Sequence, residues 1–457
     1  MTNTDLAVHF FAQIAVILVI CRVVGVLAAK FGQPQVVAEM IAGVLLGPSL
    51  FGLFAPDWQA AIFPWDSTQQ SRDTQSYLFP ASQLGLALYM FIVGMEFRID
   101  VIRDNLRSSL AVSLAGMAAP FALGAALAAY FHSSTNLFPE RTTRNEAMLF
   151  LGASMCITAF PMLARIIHFK NLSGTLMGTV AIGAGAIDDV TAWCLLALVL
   201  ASFDGDPSRA VGAIVGAVLF VAFAALILRP LLARWQNRLL KVEPQDLPPG
   251  NPDRAGNPDQ AKAASAIKTA KKELTDVGFV VGLVCMSLGA WFTDWLHLHA
   301  VFGAFVIGAV MPRGPICEGL VRRIQPLTVA LLLPLFFTYS GLNTQIGLLN
   351  SWYLWGLCLL VLLVAVIGKG VACYLASRAT GLSHQESLGI GTLMNARGLM
   401  ELIIINIGLQ RGIISEELFA TLVIMAVITT LMASPIFDLA MRGTSPDHHR
   451  RPRSTVD

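Results

Sequence analysis

Long apolar runs recur along almost the whole chain, and most are long enough to cross a lipid bilayer as a helix, which takes about 20 residues. Of the 457 residues, 55% are hydrophobic and 13% are charged, whereas soluble domains carry about 25% charged residues. This composition leaves too little polar surface for folding in water. In lipid only helices and closed barrels satisfy every backbone group, and runs of this length indicate helices. The sequence therefore predicts an all-α integral membrane protein.

The apolar runs predict about thirteen transmembrane helices, with twelve as the alternative because the ninth run is short enough to be re-entrant. The expected spans are residues 9–29, 35–54, 82–98, 108–131, 146–168, 173–203, 209–234, 276–295, 299–312, 326–342, 352–377, 384–410 and 416–440. The first run has no basic segment before it, so we interpret it as a retained helix rather than a signal peptide. Lys and Arg are concentrated in alternate loops, which predicts the N-terminus outside and the C-terminus in the cytoplasm.

Two polar segments interrupt or follow these runs. Residues 236–275 are rich in Pro, Gly, Asn and Asp and then in Lys and Ala. We expect a flexible cytoplasmic linker whose second part forms a membrane-surface helix. Residues 442–457 form a short polar cytoplasmic tail without a glycine-rich nucleotide fingerprint, so we expect no regulatory nucleotide-binding domain there.

Two predicted spans contain helix-breaking and polar residues near their middle. These are Ser154, Thr158 and Pro161 in the fifth span and Asn395, Arg397, Gly398 and Glu401 in the twelfth. The two spans lie seven positions apart, so they cross the membrane in opposite directions, as the discontinuous helices of an inverted repeat do. Proline and glycine are also generally frequent in membrane helices. Matching positions and shared polarity favour a functional interpretation.

The segment "IGAGAIDDVTAW" places Asp188 and Asp189 side by side inside an apolar run. One ionised residue in mid-membrane costs about 3 kcal/mol on insertion scales. Neighbouring helix residues diverge by about 100°, so one carboxylate can pair with a cation while the other faces a water-filled cavity. Lys369, in "VLLVAVIGKGVACYL", is the predicted partner of Asp188. The alternative is an ion pair that only fixes helix packing.

Other charged residues and motifs narrow the class of protein further. Arg397 and Glu401 lie four residues apart and form either a local structural pair or part of the transport site. The net charge of +2 does not indicate nucleic-acid binding, and the seven cysteines lack the spacing of a zinc site. Metalloprotease and serine-hydrolase motifs are absent from the sequence, so we expect neither an enzyme nor a cofactor.

Several stretches together resemble the monovalent cation:proton antiporter-2 family, near the plant cation/proton exchangers and their bacterial relatives. They are "VVAEMIAGVLLGPSLFG", "CITAFPMLARII", "GAIDDVTAWCLLALVLA", "LPLFFTYSGLNT" and "MNARGLMELIIINIGL". The resemblance implies a thirteen-helix sodium/proton antiporter fold in the inner (plasma) membrane, usually homodimeric. Within residues 1–441, core helices at about 108–203 and 352–440 would move against scaffold and dimerisation helices. Protons would be exchanged for Na⁺ or K⁺ by alternating access.

The resemblance also implies roles for individual residues. Asp189 matches the carboxylate that binds the transported cation and the proton, and Asp188 the position that is aspartate in electrogenic members. Lys369 matches the coupling lysine, and Thr158 lies in the crossing helix beside the ion. Supporting positions in the core are Ser154, Pro161, Asn395, Arg397 and Glu401. Aspartate at both positions predicts electrogenic exchange, although the plant relatives usually have Asn-Asp there.

Two alternatives from other classes remain. A cation channel would use a similar polar pore without coupling its flux to protons. A transporter fold that serves as a sensor would keep the ion pair for structure alone. Saturable, proton-coupled cation flux distinguishes the antiporter from both.

Overall fold

The computed structural model describes residues 3–31, 33, 35–63, 69–96, 105–172, 174–203, 207–240, 258–296, 299–344 and 346–441. All long regular elements within these residues are helices, which confirms the all-α fold class. Most of the predicted flexible linker, residues 241–257, and the predicted tail, residues 442–457, lie outside the described residues. The residues predicted to form a surface helix are helical and continue into the next span as one 38-residue helix, Pro258–Trp295.

The helices are α1 Asn3–Lys30, α2 Gln35–Leu46, α3 Phe51–Phe54, α4 Pro56–Ile62, α5 Gln69–Glu96, α6 Leu106–Ser134, α7 Arg144–Cys156, α8 Phe160–Phe169, α9 Leu176–Phe203, α10 Pro207–Phe223, α11 Arg229–Leu240, α12 Pro258–Trp295, α13 Ala300–Val310, α14 Pro315–Leu327, α15 Leu333–Leu342, α16 Trp352–Ala379, α17 His384–Leu393, α18 Leu399–Gln410 and α19 Glu416–Ala440. Among the described residues, nine helical stretches are long and apolar enough to cross a membrane, and two shorter helices are also apolar. The chain is thus a multi-pass membrane protein, while the number thirteen stays a prediction.

The chain divides into two compact units. The first contains Met1–Ser82, Arg98–Ala210 and Leu333–Asp457, and the second contains Gln83–Phe97 and Val211–Leu332. All the candidate site residues from the sequence belong to the first unit.

In the first unit, α2 and α15 pack backbone against backbone. A Cβ atom added to Gly43 would collide with the Phe337 carbonyl oxygen, and one added to Gly341 would collide with the Gly43 carbonyl oxygen. Membrane helices approach this closely where small residues line the contact. Glycine at these two positions therefore permits a contact that any side chain would wedge apart.

The two broken spans have closely similar architecture. The first consists of α7 and α8, and the second of α17 and α18. Both α7 and α17 start with a capping box, formed by Thr143 with Glu146 and by Ser383 with Glu386. In each box the side chain of either residue accepts a hydrogen bond from the backbone N–H of the other. Such boxes satisfy backbone donors left free at a helix start. Each span thus begins with a capped helix and is interrupted near its middle.

The position of the first break differs from the sequence-based expectation. The sequence predicted that Pro161 breaks the helix of the fifth span. Instead, residues 157–159 are already unwound, and Pro161 stands in the first turn of α8. Proline is well tolerated there because first-turn N–H groups have no intrahelical partner. Pro161 therefore starts the second half-helix rather than breaking the first.

The second unit also relies on close helix contacts. A Cβ atom on Gly94 of α5 would collide with the Phe305 carbonyl oxygen of α13, and one on Gly308 with the Phe91 carbonyl oxygen. Two π-helical segments, Ala224–Leu228 and Thr328–Leu332, each end two residues before a proline, Pro230 or Pro334. A π-segment is one way for a helix to accommodate irregular hydrogen bonding next to a proline.

Candidate ion-binding site

The two broken spans meet at their unwound segments. The backbone N–H of Ala159 donates to the carbonyl oxygen of Ala396, with an N–O distance of 3.2 Å. The second break requires Gly398, which has φ +149° immediately before α18, because side chains disfavour that region. Four half-helix ends thus lie in the protein interior, where their free N–H and C=O groups can face charged groups.

Asp188 of α9 lies next to this crossing and is fully buried. Its Oδ1 accepts a hydrogen bond from Ser113 of α6 at 2.6 Å, and its Oδ2 accepts one from Thr158 at 2.5 Å. Lys369 Nζ lies 3.6 Å from Oδ2 and also donates to the carbonyl oxygen of Cys156, the last residue of α7. Asp188 therefore has a counter-charge and two hydroxyl donors, and the expected juxtaposition with Lys369 is present.

Asp189 is the next residue and is also fully buried, but its surroundings are different. No side chain among the described residues donates a hydrogen bond to either of its carboxylate oxygens. The backbone N–H of Phe160, at the start of α8, is near enough to stabilise its negative charge, whereas Asp188 destabilises it. A buried carboxylate without a counter-charge or a side-chain donor is costly, so Asp189 gains strongly when it binds a proton or a cation.

Arg397 and Glu401 form a second buried pair within the break. The Arg397 guanidinium lies 3.4 Å from Glu401 Oε1 and donates to the carbonyl oxygens of Ser154, at 3.4 Å, and Ala365, at 3.5 Å. Its backbone is held by Thr430, whose hydroxyl donates to the Arg397 carbonyl oxygen at 2.7 Å. Arg397 thus connects the ends of α7 and α18 with α16. These contacts fix the geometry of the second break.

The other predicted residues lie around this crossing. Ser154 donates its hydroxyl to the Phe150 carbonyl oxygen within α7, at 2.9 Å. Asn395 is buried in the second break, and its Nδ2 donates to the Gly391 carbonyl oxygen of α17 at 3.0 Å. Thr158 directs its hydroxyl to Asp188 in this conformation. All three residues lie at or beside the two breaks, and the side chains of Ser154 and Asn395 bond to backbone carbonyl groups.

The buried charges around the crossing do not balance. The ion pairs of this region involve Asp188, Glu401, Lys369 and Arg397, and Asp189 adds a third carboxylate. With all five side chains ionised, the cluster carries one net negative charge. One bound proton or one bound monovalent cation makes the cluster neutral. A neutral cluster has the lowest electrostatic cost in a low-dielectric region.

Two partners in this site were not identified from the sequence. Ser113 lies in the apolar run "LAVSLAGMAAP" and Thr430 in "VITTLMAS". Serine and threonine occur in many membrane helices, where they bond to their own backbone. Only the approach of α6 to Asp188 and of α19 to Arg397 distinguishes these two hydroxyl groups from the others.

Comparison with known proteins identifies the family. The family model described as "Sodium/hydrogen exchanger, transmembrane" matches residues 15–248 and 263–442. This chain belongs to the sodium/hydrogen exchanger family. Both broken spans, the aspartate pair and Lys369 fall within the matched residues.

Two curated relatives place the exchanger among its homologues. It is 36% identical over 442 residues to the Na(+)/H(+) antiporter NhaS4 of Synechocystis sp., an alignment that covers 95% of this chain and 97% of the relative. It is 33% identical over 444 residues to Cation/H(+) antiporter 19 of Arabidopsis thaliana, with 96% of this chain covered. The exchanger spans nearly the full cyanobacterial protein but only 50% of the plant protein.

A solved structure supports the fold. The sodium proton antiporter MjNhaP1 from Methanocaldococcus jannaschii superposes on the exchanger with a TM-score of 0.56, covering 95% of this chain and 96% of that chain. The sequence identity is 12%, so the likeness is one of fold. The sodium/proton antiporter fold expected from the sequence is thereby confirmed.

Proposed function

We propose that this exchanger is a secondary active antiporter that exchanges Na⁺ or K⁺ for protons by alternating access. The observation that carries the proposal is Asp189, a wholly buried carboxylate without a side-chain hydrogen-bond donor beside a fully partnered Asp188. A permanently charged side chain in this position would only destabilise the fold. A carboxylate that alternately binds a cation and a proton explains why it is there.

In the proposed cycle, protons and the cation compete for Asp189. Hard cations prefer oxygen ligands, and Asp189, water molecules and the unwound backbone would supply them. Binding of either substrate compensates the Asp189 charge, and the loaded site can then be exposed to the other side. An empty site keeps its net charge and does not cross. This competition couples the two fluxes without requiring both substrates to be bound together.

Electrogenic exchange follows from Asp188 and Lys369. A cation bound beside Asp189 would compete with Lys369 for the negative charge of Asp188. The Lys369 ammonium lies 3.6 Å from the Asp188 carboxylate. Burial without a counter-charge favours the neutral amine, so Lys369 would release a second proton. About two protons would then move for each cation, and the cycle would transfer net charge.

The setting of this activity is part of the proposal. The charge distribution of the loops supports an N-terminus outside and a C-terminus in the cytoplasm, in the inner (plasma) membrane. We further propose a homodimer, in which core helices at about 108–203 and 352–440 move against the remaining helices. Asp189 and Asp188 are assigned to binding and Lys369 to coupling. The broken spans, with Thr158, Ser154, Asn395, Arg397 and Glu401, support them.

The decisive experiment uses proteoliposomes with an internal acidic pH and a pH-sensitive dye. Na⁺ and K⁺ are added in turn to the wild type and to Asp189→Asn, with membrane voltage clamped by valinomycin in the Na⁺ experiments. We expect cation-dependent dequenching in the wild type and none in the variant, which keeps the side-chain volume but cannot carry the charge. Ser133→Ala is the control, because that exposed hydroxyl bonds within its own helix, away from the site.

Each outcome is informative. Dequenching that persists in Asp189→Asn would refute the assignment of the binding carboxylate. Voltage-driven, unsaturable cation flux without proton movement would indicate a channel. A folded wild-type protein that moves neither cations nor protons would indicate a sensor that reuses the transporter fold.

A further inference from the structure

A cavity of about 310 Å³ lies in the first unit between α16, α17 and α19. Its lining is almost entirely apolar, and the residues are Val366, Ile367, Gly370, Val371, Tyr374, His384, Leu388, Gly391, Thr392, Asn395, Thr429, Met432, Ala433 and Ile436. Binding cavities for small organic molecules begin at about 300 Å³. The cavity is therefore large enough for a ligand, and its chemistry is unsuitable for ions.

The rim of the cavity lies on the outer surface of the protein. Ile367 and Val371 of α16 line it, yet their side chains are 56% and 49% exposed. Exposed aliphatic side chains along a membrane-crossing helix lie against lipid rather than water. The molecules that can enter from this side are thus the acyl chains of the bilayer.

One end of the cavity carries polar and basic groups. The Tyr374 hydroxyl and His384 Nδ1 are 2.9 Å apart, and Arg378 lies one turn beyond Tyr374 on the same helix. The exposed Arg378 donates one N–H to the Leu382 carbonyl oxygen at 2.6 Å, which leaves its other donors available. The nearby acidic residue, Glu386, is engaged in the capping box with Ser383. The corner is consequently suited to an anion.

We propose that this cavity is a binding site for an anionic phospholipid. One acyl chain fills the apolar space between α16, α17 and α19, and the phosphate group lies at Arg378, His384 and Tyr374. Tyrosine and arginine are typical of the membrane–water interface, where they contact lipid headgroups. Loop charges predict that this end is cytoplasmic, and the cytoplasmic leaflet is the one rich in anionic lipids.

The cavity also lies directly behind the candidate ion site. Gly370, in its wall, follows Lys369 in the chain, and a Cβ atom on Gly370 would come within 2.9 Å of Asn395 Nδ2. A Cβ atom added to Gly391, near the end of α17, would lie 2.7 Å from the Gly370 carbonyl oxygen. A bound acyl chain therefore packs against both the lysine-bearing helix and the second break, where it can alter the transport rate.

The test compares two tryptophan variants on one face of α16. Val371→Trp places an indole in the rim of the cavity, whereas Leu375→Trp, one turn away and 58% exposed, lies outside its lining. The full chain is delipidated in detergent and titrated with phosphatidylglycerol or phosphatidylcholine. The readouts are the Tm and the number of lipids retained in native mass spectrometry, because a ligand that binds the folded state raises Tm.

We expect phosphatidylglycerol to raise the Tm of the wild type and of Leu375→Trp, with one tightly retained lipid per chain. Val371→Trp should lose more than half of this rise, as should Ile436→Trp, a second variant that fills the cavity. Arg378→Gln should respond to phosphatidylglycerol no more than to phosphatidylcholine, while Arg322→Gln, an exposed arginine elsewhere, should keep the preference. Equal responses of Val371→Trp and Leu375→Trp, or equal stabilisation of the wild type by both lipids, would overturn the proposal.

Discussion

Asp188 accepts side-chain hydrogen bonds on both of its carboxylate oxygens, whereas Asp189, the next residue, accepts none from a side chain among the described residues. Both are fully buried in α9, and their divergent directions on the helix separate their surroundings. Ser113 and Thr158 donate hydrogen bonds to Asp188, and Lys369 is its counter-charge. The asymmetry separates a carboxylate stabilised by protein from one that needs an external proton or cation. Predictions for the proposed antiporter follow from this arrangement.

Asp188→Asn should preserve cation/proton exchange and abolish its dependence on voltage. The amide retains an oxygen acceptor for one hydroxyl group but removes the charge that holds Lys369 protonated. Dequenching in proteoliposomes at imposed potentials measures the change. Ser113→Ala is the matched control, since it removes one hydrogen bond to Asp188 and keeps both charges. Persistent voltage dependence in Asp188→Asn would show that Asp188 does not determine electrogenicity.

Lys369→Ala should lower the free energy of unfolding by about 3–5 kcal/mol, because it leaves the buried Asp188 charge without a counter-ion. Thermal or denaturant unfolding in detergent gives this value. In the double variant Asp188→Asn/Lys369→Met both charges are absent, and most of the stability should return. An unchanged Tm for Lys369→Ala would mean that the pair contributes nothing to the fold.

Protons and cations should compete for Asp189. As pH falls, the apparent KM for the cation should rise at least in proportion to proton concentration, while the maximal rate at saturating cation changes little. Initial rates measured over a range of pH and cation concentrations test this relationship. A maximal rate that falls with pH at constant KM would indicate that protons act at a separate site.

Arg397→Gln should destabilise the protein more than Glu401→Gln. The first change removes the donors to the Ser154 and Ala365 carbonyl oxygens and leaves Glu401 unpaired, at a cost of about 3–5 kcal/mol. The second leaves Arg397 bonded to both carbonyl groups, at about 1–3 kcal/mol. Unfolding in detergent ranks the two variants. The reverse order would mean that Glu401, rather than the carbonyl groups, fixes Arg397.

Gly43→Ala should destabilise the first unit by about 1–3 kcal/mol, the usual cost of overpacking. Its new methyl group would meet the Phe337 carbonyl oxygen, which belongs to backbone and cannot rotate away. Gly356→Ala on α16 is the control, because nothing lies within 4 Å of its added Cβ atom. That variant should be neutral or up to about 1 kcal/mol more stable, since alanine favours helix. Equal unfolding midpoints would refute the close α2–α15 contact.

The sequence by itself determined the class of protein and the region of the site. Apolar runs of membrane-spanning length leave helices as the only common solution in lipid, and charges inside such runs are too costly to be incidental. Asp188, Asp189, Lys369 and the two interrupted spans could therefore be identified one residue at a time, from local pattern and family resemblance.

Only the tertiary structure decided how these residues divide their tasks. Ser113, 75 residues from Asp188 in the chain, has no distinguishing mark in an apolar run, and the Cys156 carbonyl group becomes an acceptor for Lys369 only because α7 ends there. The break before Pro161 likewise depends on the second broken helix, whose Ala396 carbonyl oxygen bonds to Ala159. Hydropathy and helix periodicity describe each helix separately. Partners on different helices are determined by packing, and packing gives Asp188 its side-chain donors and gives Asp189 none among the described residues.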